Sequence, residues 1–441
     1  MRFLKFAAAV AMALACGSAY AFHDGGVAGC ESCHVMHNAS NGAGKTTNAG
    51  STYAPRTNAT NVFLLQGTDQ SSTCLICHGK VGTSGYIVAS QTVAGGSPAK
   101  FTPGGDFGWL MSVTTNGARK GHNVVAQDYS TAFSADTLTT APGGTFTVGA
   151  GKAAFGCANC HDPHGRYRLV GDPANPTVTG PNTPGTLKPT IASGSYGVQT
   201  VGAVTAPSAD YAVGVYRLLA GQGYAPAGNP GFPFVNNPPA AVAPVTYNQD
   251  ESAGETRVAY GQGMSEWCQN CHTNIHMDSY NAPNNGGLRH PAGNGAKLGS
   301  VQVGIYNSYI ATGNLAGTNR YSSLVPFEVG TNNITNTAGV GLASGANFGV
   351  DPTATTADIF VASTSRNVMC LSCHRAHASG FDAITRFGTN GMVTTDTAYN
   401  TTGGLTATQV QAAYYNRSVG TVGTNIGPFQ RSLCNKCHAK D

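Results

Sequence analysis

Hydrophobic and polar positions follow one another along this chain with little regularity. After an apolar run over residues 6–15, few stretches keep a helical or strand period. Val301, Ile305 and Tyr309 recur at four-residue spacing, which predicts a helix over 301–312 with those three on one face. An Ala/Gln-rich segment from Thr406 to Tyr415 predicts a second helix, with Thr406 as its N-cap. Tracts such as Thr183-Pro184-Gly185 and Asn236-Asn237-Pro238-Pro239 read as turns and loops, and little sheet is expected. Large aliphatic side chains are sparse between them, so an ordinary core would be hard to build and something besides side chains is expected to supply the interior.

Composition sharpens this picture. The chain has 441 residues, room for about three domains at roughly 150 residues each. Glycine takes 59 positions, about twice the usual share of ~7%. Charged residues are only 10% and the net charge +4, so no basic face points to nucleic acid. With 41% apolar residues the chain is also unlike a solvated disordered one.

Residues 1–21 read as an export signal. Arg2 and Lys5 give a basic start, the apolar run follows, and Ala19-Tyr20-Ala21 is a small-x-small cleavage site. The apolar run falls short of the ~20 residues a membrane span needs. Cys16 raises a lipoprotein alternative, but Ala13-Leu14 before it is a poor lipidation context. The expected mature chain is 22–441, exported and either soluble or assembled at the surface.

Cysteine spacing carries the main inference. Apart from Cys16, the cysteines form six Cys-x-x-Cys pairs, each followed at once by histidine. They are Cys30/Cys33/His34, Cys74/Cys77/His78, Cys157/Cys160/His161, Cys268/Cys271/His272, Cys370/Cys373/His374 and Cys434/Cys437/His438. This is the attachment signature of c-type haem: two thiols form thioethers to the haem edge and the histidine becomes the proximal iron ligand. Chance would place about 0.01 such motifs in a chain of this composition. Tetrahedral zinc sites or structural disulfides would use paired cysteines, but neither explains six histidines in register. Six covalent c-type haems are therefore expected, each motif on a short helical turn.

Seven histidines remain as distal-ligand candidates: His23, His37, His122, His164, His276, His290 and His377. Six bis-histidine haems need six, leaving one spare. Methionines 36, 111, 264, 277, 369 and 392 are unnecessary as ligands and read as gap-fillers. His37, His164 and His377 fall three residues after a proximal histidine, and His276 four after. On a helical turn such residues share a face, whereas the distal ligand must reach iron from the other side of the macrocycle. Each of these four must serve a haem other than its neighbour's, which draws haems into close pairs.

The expected fold is a multihaem cytochrome c: mostly irregular chain, with a few short helices and little sheet, wrapped as one extended unit around a continuous stack of six haems. No catalytic residue is expected, because a reductase needs an open iron position.

The residues also match a known family. Over nearly the whole mature chain the sequence resembles the extracellular hexahaem cytochromes of metal-reducing bacteria that polymerise into conductive filaments. The likeness is carried by Phe22-His23-Asp24-Gly25-Gly26-Val27-Ala28, Arg119-Lys120-Gly121-His122-Asn123 and His161-Asp162-Pro163-His164-Gly165. Tyr260-Gly261-Gln262-Gly263-Met264-Ser265-Glu266-Trp267, Leu288-Arg289-His290-Pro291, His374-Arg375-Ala376-His377 and Cys437-His438-Ala439-Lys440-Asp441 extend it. The resemblance implies bis-histidine haems and head-to-tail filaments in which His37 leaves its own subunit and ligates the haem bound through His374 of a neighbour. It implies outer-membrane or periplasmic electron donors and extracellular acceptors such as metal oxides or electrodes. A monomeric electron-transfer cytochrome is the other reading of the motifs, and a multihaem reductase a third.

Haem changes the charge balance. Loss of Arg2 and Lys5 leaves 22 basic against 20 acidic residues. Twelve ionised propionates and six ferric centres bring the oxidised protein to about −4 and the reduced protein to about −10, so each reduction disfavours its neighbours'. A redox titration is expected to spread over several overlapping steps; one sharp one-electron transition for all six haems would contradict this.

Overall fold

The computed structural model describes residues 30–34, 64–79, 87–90, 102–112, 117–129, 139–148, 155–180, 190–192, 206–226, 229–242, 258–275, 290–311, 325–334, 364–389, 405–413 and 431–439. The proposed signal segment, His23, His37 and His276 lie outside the described residues.

Helices are short. They are α1 Cys30–Cys33, α2 Gln70–His78, α3 Trp109–Ser112, α4 Met264–Cys268, α5 Ser300–Ala311, α6 Cys370–Cys373 and α7 Ala407–Ala413. Single 3-10 turns cover Gly117–Lys120, Gln127–Tyr129, Cys157–Asn159 and Cys434–Lys436, while Tyr216–Leu218 and Asp382–Ile384 are tight turns of non-helical backbone. Strands are β1 Arg168–Val170, β2 Thr177–Thr179, β3 Thr190–Ala192, β4 Ala212–Gly214, β5 Ala240–Val242 and β6 Ala259–Gln262. One sheet has the order β2-β1-β4-β3, with β3 parallel to β4 and the other pairs antiparallel. The second is the antiparallel pair β5-β6. The Asn236–Pro239 tract is a loop leading into β5. No helix among the described residues is long and apolar enough to cross a membrane.

Both helices read from the sequence are present. Among the described side chains of α5, Tyr306 and Tyr309 are buried, at 0% and 4% exposure, while Val301, read onto the same face as Tyr309, is 65% exposed. Two large aromatic rings three residues apart carry most of the apolar area and so set the inward face. Tyr306 packs edge to face on Phe327 at 5.3 Å. Thr406 caps α7: its Oγ1 accepts from Gln409 N at 3.2 Å, and Gln409 Oε1 accepts from Thr406 N at 2.9 Å.

The chain also builds more apolar interior than its composition suggests. Aromatic residues make up the shortfall in aliphatics. One cluster gathers Phe107, Trp109, Tyr129, Tyr306, Tyr309 and Phe387 with Leu75, Leu110 and Leu433. A second gathers Tyr167, Tyr216, Tyr224, Phe234 and Tyr260 with Met264, Met369 and Leu371 around the β1–β4 edge. Aromatic rings bury up to about 250 Å² each, so few are needed.

Polar side chains fix the loops to the helices. Asp69 caps α2, its carboxylate accepting from Ser72 N at 2.8 Å, from Ser72 Oγ at 2.9 Å and from Gln127 N at 2.7 Å. One side chain thus closes a helix N-terminus and anchors a distant turn. Asp69→Ala is expected to lose about 1–2 kcal/mol, read as a lower unfolding midpoint of the haem-loaded protein.

A candidate series of haem attachment sites

All six Cys-x-x-Cys-His motifs occupy a helical turn. The first, second and fifth sit on α1, α2 and α6, the third and sixth on 3-10 turns, and the fourth runs off the end of α4. The turn closes with the histidine amide donating to the first cysteine's carbonyl: His34 to Cys30 at 2.8 Å, His161 to Cys157, His272 to Cys268 and His438 to Cys434 at 3.0 Å, His374 to Cys370 at 2.9 Å. This geometry puts both thiols and the imidazole on one side of the turn, as a ligand clasping one macrocycle edge requires.

Consecutive motifs are neighbours in space. Cys33 lies beside Cys77, Cys74 meets Cys157, Cys160 faces Cys271, Cys268 meets Cys370, and Cys373 lies near Cys434 and Cys437. The six motifs therefore form a line in sequence order, joined alternately through second and first cysteines. A repeated hydrogen bond holds the first-cysteine junctions. Cys157 N donates to Ser71 Oγ at 3.1 Å and Cys370 N donates to Ser265 Oγ at 3.0 Å. Each serine stands three residues before the first cysteine of the preceding motif, a signal present in the sequence but not read from it.

Eight of the described histidines pair across gaps of one size. Ring centroids are 6.3 Å apart for His34 and His164, 6.4 Å for His161 and His377, 6.1 Å for His122 and His272, and 6.2 Å for His290 and His438. Two imidazoles bound through one nitrogen each to a single first-row metal at about 2.0 Å would have centroids about 6 Å apart. The donor set thus fits six-coordinate haem iron with two axial imidazoles. Burial keeps the rings in the neutral, lone-pair-bearing form that a metal needs: His122 and His161 are pushed down to about 4, His377 to about 3, and His164, His374 and His438 are lowered as well. Among the described residues, no three or more His, Cys, Asp or Glu side chains converge as a tetrahedral cation site would need.

Nδ1–H bonds to backbone carbonyls orient the rings. His122 donates to Ala376 O at 2.6 Å, His272 to Pro142 O at 2.8 Å and His290 to Pro291 O at 2.8 Å. Such bonds leave Nε2 as the nitrogen available to a metal.

No family model matches the chain. It is 45% identical to the C-type cytochrome OmcS of Geobacter sulfurreducens over an alignment of 465 positions, covering 98% of each protein. The chain belongs to the OmcS family of c-type cytochromes. Two solved structures agree in fold. The cryo-EM structure of the OmcS nanowires from G. sulfurreducens gives a TM-score of 0.73 at 43% identity, covering 95% of this chain and 100% of that one. The outer membrane cytochrome S filament from the same organism gives 0.72 at 42%, with the same coverage.

The OmcS-like motifs now acquire physical roles that the sequence did not disclose. In Arg119-Lys120-Gly121-His122, buried Lys120 donates to Gly380 O at 2.8 Å and pairs with Asp382 at 3.2 Å, while Arg119 reaches the same carboxylate at 3.4 Å. Gly121 lets this strand approach 377–378: a Cβ there would meet Ala378 Cβ at 2.6 Å and His377 O at 2.7 Å. In His161-Asp162-Pro163-His164, the buried Asp162 carboxylate accepts from His164 N at 3.2 Å and from Arg166 Nε at 3.0 Å, fixing the turn that carries His164.

Glu328 was also not foreseen. It is fully buried beside α4 and the start of α6; Oε1 accepts from Met264 N at 2.8 Å, and Oε2 meets no hydrogen-bond partner among the described residues. Burial, with Glu266 nearby, pushes its carboxyl up to about 8. An acid whose folded-state value lies above its unfolded one stabilises the fold fully below about 4.5, and that stability drains away as pH rises through about 8. Thermal unfolding of the wild type is therefore expected to fall between pH 5 and pH 8, and Glu328→Gln to flatten that slope while leaving stability at pH 5 nearly unchanged.

Proposed function

We propose that this chain is exported and assembles head to tail into an extracellular filament that carries electrons outward, with no catalytic site of its own. Bound c-type haem supplies the one-electron iron couple. The chain's residues hold each attachment point against the next and fill the axial positions, so the couple exchanges electrons without admitting a reactant.

The observation that carries this reading is the order in which imidazoles pair. His34 of the first motif faces His164, which stands three residues past the third proximal histidine; His161 of the third faces His377, three past the fifth. Each odd motif takes its partner from two motifs ahead. His374 of the fifth motif has no motif two ahead in its own chain. The equivalent residue is His37, three past the first proximal histidine of the next copy. Even motifs take theirs from behind. His272 faces His122, from the segment after the second motif, and His438 faces His290, from the segment after the fourth. The same step taken back once assigns His23, ahead of the first motif, to His78. His276 is then the surplus histidine.

A step that runs past the end of the chain and resumes at its beginning is a heterologous, non-closing contact, which yields fibres rather than rings. The solved relatives described as nanowires and filaments support this. Donors are then outer-membrane or periplasmic electron carriers, and acceptors are extracellular oxidants such as metal oxides or electrodes.

His37→Ala is expected to give monomers or short oligomers by electron microscopy, with one high-spin haem in six by paramagnetic resonance. His276→Ala should keep full-length filaments and wholly low-spin ferric haem. Normal filaments from the His37 variant would remove the proposal.

A further inference from the structure

Non-glycine residues with left-handed backbone are Leu64 (φ 51), Arg217 (φ 47), Leu218 (φ 56), Ala383 (φ 54) and Ile384 (φ 58) among the described residues. All five stand against a proximal histidine of an odd-numbered motif. The residue that follows each of the three left-handed stretches forms a bridge with that histidine: Leu65 with His34, Leu219 with His161, Thr385 with His374.

The third and fifth motifs share one arrangement bond for bond. Residues 216–219 and 382–385 are tight turns with two left-handed central residues, closed by Leu219 N to Tyr216 O at 3.1 Å and Thr385 N to Asp382 O at 3.2 Å. The first central carbonyl accepts the proximal Nδ1–H: Arg217 O from His161 and Ala383 O from His374, both at 2.8 Å. The second central carbonyl accepts the amide after the histidine: Leu218 O from Asp162 at 2.9 Å, Ile384 O from Arg375 at 2.8 Å. The residue after the turn donates back to the second cysteine: Ala220 N to Cys160 O at 2.9 Å, Arg386 N to Cys373 O at 2.8 Å. The first motif repeats the last of these, Gln66 N to Cys33 O at 2.8 Å, with Leu64 in the second left-handed position.

Turns with two left-handed residues favour Asn and Gly, and a β-branched residue there is an outlier. Arg-Leu and Ala-Ile are kept in this shape by the bonds to the motif, and such strain gathers where geometry serves function. We propose that these turns are positioning clamps for the odd-numbered haems: residues 217–218 and 383–384, with Leu64 as their counterpart at the first motif, set the plane and basicity of the proximal imidazole through its Nδ1–H bond. The inference rests on the haem reading above. A carbonyl on Nδ1–H makes the imidazole a stronger donor to iron and stabilises the ferric state. Loosening one clamp therefore raises the potential of one haem.

The test is a graded series at Ala383 in the haem-loaded protein. Gly suits φ 54, Val crowds it, and Pro, held near φ −65°, forbids it. Ala383→Gly is expected to keep wild-type potentials and paramagnetic-resonance g-values. Ala383→Val and then Ala383→Pro should move about one-sixth of the spectroelectrochemical amplitude to higher potential, so that this haem is more than half reduced at its wild-type midpoint, with a changed g-tensor for that haem alone. Leu218→Pro should do the same to a different haem. If the proline variants fail to fold, Ala383→Val still decides. Unmoved potentials and g-values in the folded variants, or a shift shared by all six haems, overturn the clamp. Haem content by pyridine haemochrome tests the haem reading separately: six per chain upholds it whatever the potentials do.

Discussion

A metal held between two imidazoles must receive them from opposite faces of its macrocycle, and the rest of this structure follows from that requirement. A histidine one turn past a proximal ligand lies on the wrong face to serve the same site. His164 and His377 accordingly sit across from His34 and His161, two motifs away along the chain. On the proposed pairing, ligands supplied from two motifs away interlock parts of the chain that its short strands leave unjoined. They also explain why a sequence so rich in glycine holds a defined path: each loop is tied at points fixed by the attachment sites.

The attachment chemistry was legible from spacing alone, because Cys-x-x-Cys-His is a local pattern and its helical turn is a local structure. The short helices and slight sheet were legible too, and so was the capped helix at Thr406. Of the three residues read onto one face of α5, Tyr309 is buried and Val301 is exposed, because the buried face is centred on the two rings of Tyr306 and Tyr309. The expectation that an ordinary core would be hard to build underrated the aromatics, which gather into two buried clusters. Residues that act through long-range contacts were invisible. Lys120 and Asp382 are 262 positions apart in the sequence numbering and meet at 3.2 Å. Glu328 finds Met264 N across 64 positions. No periodicity announces such pairs.

No clean internal repeat was read from the chain, because motif spacing is uneven and the intervening loops differ in length. A repeat exists in the backbone all the same. Tyr216-Arg217-Leu218-Leu219-Ala220-Gly221 and Val62-Phe63-Leu64-Leu65-Gln66-Gly67 share a Leu-Leu-x-Gly core, and 382–386 takes the same shape with different residues. The conserved element is a set of hydrogen bonds to the motif, which many side chains permit. Its cost, about 1–2 kcal/mol for each left-handed non-glycine residue, falls on positions packed against the motif, two of which, Arg217 and Ala383, offer their carbonyls to the proximal histidine.

On the proposed pairing, the two-motif step makes the boundary between subunits no different from the boundary between pairs of motifs inside one. Odd motifs look ahead and even motifs look behind, so a free chain end leaves one odd site at one terminus short of an imidazole and offers one unused imidazole at the other. Those two deficits are complementary and stand at opposite ends of the line of attachment sites. Addition of another copy satisfies one of each and recreates both at the new ends, which favours growth without favouring any particular length. The same logic places the assembly signal in the segment around His37 rather than in a large apolar face, so polymerisation can be abolished by one side chain while the pairs inside each subunit stay intact.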